Sequence, residues 1–362
     1  MANPPTSRVI RNPKTRFNWR VSDFIRGMMV RWFELRARVT GRGYYCSTLA
    51  GQEDYNITVN SDLTVSCTCQ DYDGSGHIGD LRKNTFEEIY FGPVAQRFRD
   101  ELAKGKIPIP TCVRCTIRRL PKNTAPPKPQ LPNRGMLLEN TVLCNVDCIG
   151  CAREGAAAIR SNKRMPLDDF SRMADLVHQL KMEKLFYLNL GEPFLSPGIC
   201  QELPLLRAKN PDCWILTSTN GVLLNTDAKR EAALNLSHIL FSVHGISDEM
   251  SAKYMLEGSF EKAYAAMKAM AAYRDARGLK APVLEWKYLL FNWNDHPKSI
   301  QRAIEMAKEI NVDIISFWPT QNPFYGMSWR YKLGLMKNIG DKCWKGHEII
   351  LRPDNIPTKH IH

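Results

Sequence analysis

Long apolar runs are missing from this chain. Nowhere do ~18 apolar residues follow one another, and the N-terminus offers no apolar stretch of signal-peptide length, which argues against a membrane-spanning helix or a secretory leader. Cysteine is too sparse for a disulfide scaffold, with 11 among 362 residues against the ~8–10% typical of such scaffolds. Both absences point to a soluble protein of a reducing, cytoplasmic compartment. At this length the expectation is about two domains of ~150 residues, with room for a core of ordinary size.

Acidic residues are scarce in the first 45 positions. Ten Lys and Arg face only Asp23 and Glu34 there, which places +8 of the net charge of +13 in this arm. Val21, Phe24, Ile25, Met28, Met29, Trp32 and Phe33 recur at helical spacing, with Arg20, Arg26, Arg31 and Arg38 interleaved. The pattern predicts a basic amphipathic helix over this N-terminal arm, 1–45. Such a helix either docks its apolar stripe on its own protein, leaving the arginines in water, or attaches to a membrane surface or an anionic partner.

Pro121, Pro126, Pro127, Pro129 and Pro132 punctuate a segment suited to an extended, semi-rigid linker. We place a boundary over 121–133, between a Cys-rich domain at 46–120 and a larger domain at 134–325, with an extension at 326–362. In the larger domain, strand-like runs at 135–143, 184–190, 214–218, 238–243, 284–291 and 313–318 alternate with helical patterns. Two of these patterns are Phe170, Met173, Ala174, Val177 and Leu180, then Phe260, Ala263, Tyr264, Met267 and Met270. Alternation of this kind predicts βαβ units around a parallel sheet, with ligands bound beyond the carboxyl ends of its strands.

The chemistry-bearing residues fall at those ends. Cys144, Cys148 and Cys151 form a C-x3-C-x2-C triplet after the first strand. Three thiolates so close together can hold one metal cluster and leave a coordination position open, whereas a closed zinc site uses four ligands. A zinc knuckle or three unrelated buried cysteines are the plainer readings. The second strand ends in Gly191, Glu192 and Pro193: a glycine that lets backbone approach a ligand, a carboxylate that can accept from an ammonium group, and a proline that fixes the turn. Ser218, Thr219, Asn220 and Gly221 end the third strand and offer hydroxyl and amide groups to a ribose or carboxylate. Ser242 and His244 end the fourth. His244 hydrogen-bonds a hydroxyl, titrates near neutrality, or is simply structural. Lys287, on the fifth strand, faces either the pocket, where it supplies a cation for a carboxylate, or a helix, and Asn292 follows at that strand's end.

Together these motifs resemble the radical S-adenosylmethionine (radical SAM) superfamily. In that family three cysteines at this spacing hold a four-iron four-sulfur (4Fe–4S) cluster, whose fourth iron chelates the amino and carboxylate groups of S-adenosylmethionine. A Gly-Gly-Glu-Pro run contacts the methionine amino group; Leu190 replaces its first glycine here. The resemblance implies an α/β fold, a partial (β/α)6 TIM-like barrel with a small Cys-rich auxiliary domain. It carries the cofactor-binding role onto Gly191, Glu192, Pro193, Ser218, Asn220, Ser242 and His244; Lys287 joins this set as the cation that a carboxylate in the pocket wants.

Cys46, Cys67, Cys69, Cys112 and Cys115 precede the linker, with His77, Gly79 and the run from Phe86 to Tyr90 between them. This stretch resembles the SPASM auxiliary module of radical SAM enzymes, placed ahead of the barrel where the family normally puts it behind. His77 and Gly79 stand at the usual Gly-Asn, and Cys67 and Cys69 compete for one ligand role. A second iron–sulfur cluster is implied, with a mononuclear iron or zinc site as the alternative. Cys343-Trp344 looks like the opening of another such module, and Cys343 is read as a buried residue, a ligand or a radical relay. Cys200 and Cys213 read as core residues.

The family likeness implies that one electron, from an external donor of flavodoxin or ferredoxin type, cleaves S-adenosylmethionine to methionine and a 5′-deoxyadenosyl radical. That radical removes a hydrogen atom from a peptide or sugar-type substrate, for oxidation, epimerisation or another modification. The rival reading is a zinc-stabilised basic module that binds nucleic acid without catalysis. It accounts for Cys112-x2-Cys115 and the charge but not for the triplet loop or the Gly-Glu-Pro turn.

Overall fold

The computed structural model describes residues 10–69, 71–339, 342–344 and 347–352, without the side chains of 342–344. They pack into two compact units: one holds the chain up to Leu143 with Ala152–Gly191 and Lys209–Cys213, the other Cys144–Cys151, Glu192–Ala208 and the chain from Trp214 onward.

The first unit opens with the helix Pro13–Thr40. Asn12 caps it, accepting from the backbone of Lys14 and Thr15, Pro13 fits the first turn, and Gly41 closes it with a positive φ of 61°. Its buried side chains are Thr15, Asn18, Trp19, Arg26 and Ala37. Trp19 stacks edge-on with Tyr72 at 4.6 Å, and the Arg26 guanidinium lies 5.2 Å from the Trp19 ring. The helix therefore docks through a face other than its expected apolar stripe. Phe24, Met28 and Trp32 are exposed, as are Phe17, Leu35 and Val39. Both acidic residues are engaged with their own unit, Asp23 with Arg26 and Glu34 with the backbone N–H of Ile107.

After this helix, strands β1 (Tyr44–Cys46), β2 (Thr58–Val59), β3 (Thr64–Ser66), β4 (His77–Asp80) and β5 (Ile117–Arg119) build the Cys-rich part. β1 pairs antiparallel with β5, which brings Cys46 beside Ile117. Residues 121–135 hold neither helix nor strand, consistent with prolines that remove backbone donors. Beyond them β6 (Met136–Leu138) runs parallel to β2 on one side and to β7 (Lys184–Phe186) on the other. The helix Leu167–Gln179 precedes β7 and buries Phe170, Met173, Ala174 and Val177, as the period predicts.

In the second unit, β8 (Trp214–Thr219), β9 (His238–Ser242), β10 (Val283–Leu290) and β11 (Ile314–Pro319) are parallel neighbours in that order. β12 (Lys342–Trp344) pairs antiparallel with β13 (His347–Leu351), which runs parallel to β11. The helices Asp227–Ala233, Phe260–Asp275 and Pro297–Glu309 lie between successive parallel strands. One sheet face carries Trp286, packed 6.0 to 6.3 Å from Phe260 and Tyr264 of a crossover helix. Side chains alternate along a strand, so the opposite face receives Glu285 and Lys287. All six expected strands are present, β6 and β7 in the first unit and β8 to β11 in the second. β6 and β7 end sooner than the runs 135–143 and 184–190 do, and Asn140 and Asn189 there turn to side-chain partners Tyr187 and Glu139. The fold is α/β, a partial TIM-like barrel with a small Cys-rich domain.

Cys213 is buried, as expected, but Cys200 is exposed on the helix Ile199–Lys209. Its position in that helix points it to water while Ile199, Glu202, Leu203 and Leu206 make the buried face. Cys343 lies on β12, and its side chain falls outside the described residues.

Candidate functional site

In the second unit the triplet loop is fixed at several points along its backbone. Residues Asp147–Cys148 pair antiparallel with Met255–Leu256, and the N–H of Ile149 donates to the Tyr254 carbonyl at 3.0 Å. The N–H of Cys151 closes a turn onto the Cys148 carbonyl at 2.9 Å. Val146 and Ile149 are buried against Tyr254, Met255 and Phe291, with Cys144 and Cys148 packed on this cluster. A Cβ at Gly150 would come within 2.7 Å of the Tyr254 hydroxyl and 3.0 Å of the Asn322 carbonyl, so any larger residue there would have to displace one or both. The Asn322 amide donates to the Gly150 carbonyl at 2.7 Å. Cys144, Cys148 and Cys151 are each half-buried.

Glu192 joins two strand ends. It is 2% exposed, and its Oε1 accepts from the Phe194 N–H at 3.1 Å and the Thr219 hydroxyl at 2.7 Å, while Oε2 accepts from the Asn220 N–H at 2.8 Å. Burial pushes its carboxyl pKa up, and the hydrogen bonds from Asn220, Thr219 and Phe194 offset part of that shift. The turn is secured further by the Lys229 ammonium, which donates to the carbonyls of Phe194 and Leu223. Asn220, held in this way, reaches the triplet loop: its amide donates to Asn145 Oδ1 at 2.9 Å and approaches Cys144 Sγ at 3.8 Å. The Ser218 and Ser242 hydroxyls share a hydrogen bond of 3.0 Å.

Gly191 ends the first unit's share of the turn. A Cβ there would lie 2.0 Å from the Thr141 carbonyl, so the backbone passes where no side chain could. The roles of Asn145, Tyr254 and Asn322 escape sequence reasoning, because each depends on a partner far along the chain. Asn145 alone gives a local hint, sitting inside the triplet.

His244 does not titrate near neutrality. It is 4% exposed, its Nδ1 accepts from the Leu289 N–H at 3.2 Å, and Tyr254 and Phe291 flank it edge-on. Burial, and after it the Lys287 ammonium, push its pKa down to about 3. Between that value and the ordinary 6.5 the unfolded chain holds a proton that the folded one lacks. Stability therefore rises with pH across this window, by up to about 1.4 kcal/mol per pH unit. In chemical denaturation between pH 4.5 and 6.5, His244→Gln should flatten this dependence by roughly one proton's share. An unchanged slope would show that His244 is protonated in the folded protein.

Four cysteines of the first unit form a second group of thiols. Cys46, Cys67, Cys112 and Cys115 line one cavity, walled by Leu49, Phe98, Leu102, Ile109 and Ile117. Burial first, then the neighbouring sulfurs, pushes the Cys67 thiol well above its ordinary range, and Cys115 is pushed up to about 12. A cation at the centre would reverse that shift. The Leu49 N–H donates to Cys46 Sγ at 3.5 Å, the kind of contact that stabilises a metal-bound thiolate. Cys69 is absent from the lining; its thiol is hydrogen-bonded to Asn56 Oδ1 at 3.4 Å and the Tyr55 hydroxyl at 3.6 Å. His77 is exposed. Among the described residues no three Cys, His, Asp or Glu side chains converge closely enough to ligate a single ion. Four cysteines line one largely apolar cavity, with Thr68 and Thr111 also in its wall, and such a donor set fits an iron–sulfur cluster.

Residues 139–276 match the model of the radical SAM superfamily, and residues 46–116 that of the SPASM iron–sulfur cluster-binding domain. The chain carries a radical SAM domain with a SPASM domain ahead of it. Its cofactors follow from these domains: a 4Fe–4S cluster with S-adenosylmethionine for the first, and a further iron–sulfur cluster for the second. Among solved structures, SuiB from Streptococcus suis bound to S-adenosylmethionine aligns at 11% identity and a TM-score of 0.45, over 60% of this chain and 50% of its own. SuiB bound to the precursor peptide SuiA aligns at 12% and 0.46, over 72% and 62%. Native anSMEcpe with bound AdoMet aligns at 17% and 0.44, over 60% and 63%. The chain thus spans about half the length of S-adenosylmethionine-bound SuiB. No curated protein matches. Among the described residues no helix is long and apolar enough to cross a membrane.

Proposed function

We propose that this protein is a radical SAM enzyme that modifies a peptide or sugar-type substrate by hydrogen-atom abstraction. The observation that carries the proposal is the triplet loop, pinned by Asn220, Tyr254 and Asn322, which carries three half-buried cysteines between Cys144 and Cys151. In this reading Cys144, Cys148 and Cys151 hold the 4Fe–4S cluster, and Cys46, Cys67, Cys112 and Cys115 hold the auxiliary one. Bound there, cluster and S-adenosylmethionine supply reductive cleavage of the sulfonium and hydrogen-atom abstraction, on an electron from an external donor.

The chain's own residues then orient and shield. The backbone at Gly191 passes so close to the Thr141 carbonyl that only glycine fits ahead of Glu192. Glu192 holds that turn and Asn220 in register, and the Ser218 and Ser242 hydroxyls face a ribose. The Asn220 amide adds a weak donor to Cys144 Sγ, the type of contact that tunes a cluster's potential. The packing of Val146, Ile149, Tyr254 and Phe291 keeps water from one side of the loop.

Anaerobically purified protein, incubated with S-adenosylmethionine and a strong reductant, should release 5′-deoxyadenosine. A product that forms equally without reductant, or not at all on iron-loaded protein, refutes the reading. The nucleic-acid-binding alternative leaves the pinned loop and the Glu192 tie without a use.

The cavity lining supports Cys67 over Cys69 as the auxiliary ligand. Cys67→Ala should lower auxiliary iron sharply, by titration of bound iron and loss of the charge-transfer absorbance, whereas Cys69→Ala should leave both near normal. The reverse pattern would exchange their roles.

A further inference from the structure

On the face of the second unit's sheet that carries Ser218 and Ser242, two cations converge on one tryptophan. Lys287 Nζ lies 4.7 Å from the centre of the Trp318 ring, and the Arg352 guanidinium carbon 5.3 Å from it. The strand register produces this meeting. Ser242, Lys287 and Ser316 stand abreast on β9, β10 and β11. Ser316 is level with Ile350 of β13, so Trp318 and Arg352, each two residues further on, stay on the same face.

One carboxylate serves this group. Glu285, fully buried, already accepts from His238 Nε2 at 3.0 Å and from the Ser316 hydroxyl, and lies 3.6 Å from Arg352. Among the described residues the Lys287 ammonium has no hydrogen-bond acceptor. Arg352 is 7% exposed, and its Nε is buried with no hydrogen-bond partner. Burial pushes the Lys287 pKa down, the Glu285 charge offsets part of that, and the charge of Arg352 adds to the lowering. Two shielded cations against one engaged carboxylate leave a positive site that an anion would neutralise.

We propose that Lys287, Arg352 and Trp318 form a substrate subsite that binds a carboxylate between the two cations, with the indole as a shelf for the adjoining carbon chain. The inference rests on the radical SAM reading and adds the substrate's chemical class, an acidic group on the molecule to be modified. The carboxylate of S-adenosylmethionine is already accounted for in that reading, at the cluster iron beside the triplet loop and Asn220, so Lys287, expected from the sequence among the cofactor contacts, is assigned here to the substrate instead. Asn220 follows β8, while Lys287 lies two strands away in sheet order and Arg352 four, roughly 10 and 19 Å at ~4.8 Å per strand.

The test uses full-length, cluster-reconstituted protein labelled with 5-fluorotryptophan, in which Trp318→Phe identifies the Trp318 resonance. The probes are acetyl-Ala-Glu-Ala-amide, its Gln counterpart and inorganic phosphate. The Glu peptide should shift that resonance saturably, at a concentration at least tenfold below the Gln peptide. Lys287→Gln and Arg352→Gln should each weaken the response about tenfold, and Lys287→Arg should retain most of it. Equal responses to the two peptides, or an unchanged response in both Gln variants, overturn the proposal. Displacement of the Glu peptide by S-adenosylmethionine assigns the site to the cofactor, and tighter binding of phosphate rejects the carboxylate; either outcome overturns it too. 5′-Deoxyadenosine release, measured on the same preparation, separates the two readings. Its loss with peptide discrimination intact counts against the radical SAM reading alone, and its presence without discrimination counts against the subsite alone.

Discussion

Replacing Cys144, Cys148 and Cys151 together by alanine is expected to remove about four irons per chain, the complement of one cubane, and to abolish reductant-dependent 5′-deoxyadenosine release. The auxiliary iron should remain, because Cys46, Cys67, Cys112 and Cys115 line a cavity of the first unit while the triplet belongs to the second. The fold should remain as well. The loop is held by Tyr254, Asn322 and the packing of Val146 and Ile149, none of which uses a cysteine sulfur. Iron and sulfide analysis, with circular dichroism as the control for folding, checks the prediction. Loss of all iron together would mean that both sets of cysteines serve one centre; full retention would mean that the triplet binds none.

The second large effect is expected from Glu192→Ala. Three donors, the N–H groups of Phe194 and Asn220 and the hydroxyl of Thr219, converge on its carboxylate in a site closed to water. Alanine strands all three at once. A buried donor without a partner costs about 1–3 kcal/mol, so the loss of stability is expected to be on the order of 3–5 kcal/mol, read by chemical denaturation. Cluster loading should fall with it, since Asn220 loses the backbone bond that positions its amide beside Asn145 and Cys144. Glu192→Gln keeps one accepting oxygen and presents an NH2 group to the remaining donor, so its effect should be smaller. A variant with alanine at 192 that unfolds like the parent and loads iron normally would show that the tie is dispensable.

The larger features of this molecule are readable from its sequence because they rest on local rules. The six strands alternate with helices whose periods, as in Phe170, Met173, Ala174 and Val177, match the buried face. What escaped depends on distant partners. The helix Pro13–Thr40 was legible as a helix, but its docking face is set by Tyr72 and Ile10, which no periodicity inside the helix can report. Glu192 was legible as a carboxylate at a strand end. Its use as a fastener between turns follows only from Thr219 and Asn220 coming within hydrogen-bonding distance. Lys287 could be read as a cation on a strand, and Trp318 and Arg352 joined it only once the register of three strands was known. Cys200 reversed its expected burial, because one residue in a helix can face water while its immediate neighbour Ile199 is buried.

That outward-facing sulfur has a practical consequence. Among the described cysteines Cys200 is the exposed one, and the rest are buried or half-buried. A maleimide dye or a nitroxide offered at low stoichiometry should couple there first, giving an optical or magnetic reporter whose attachment leaves every proposed ligand sulfur untouched.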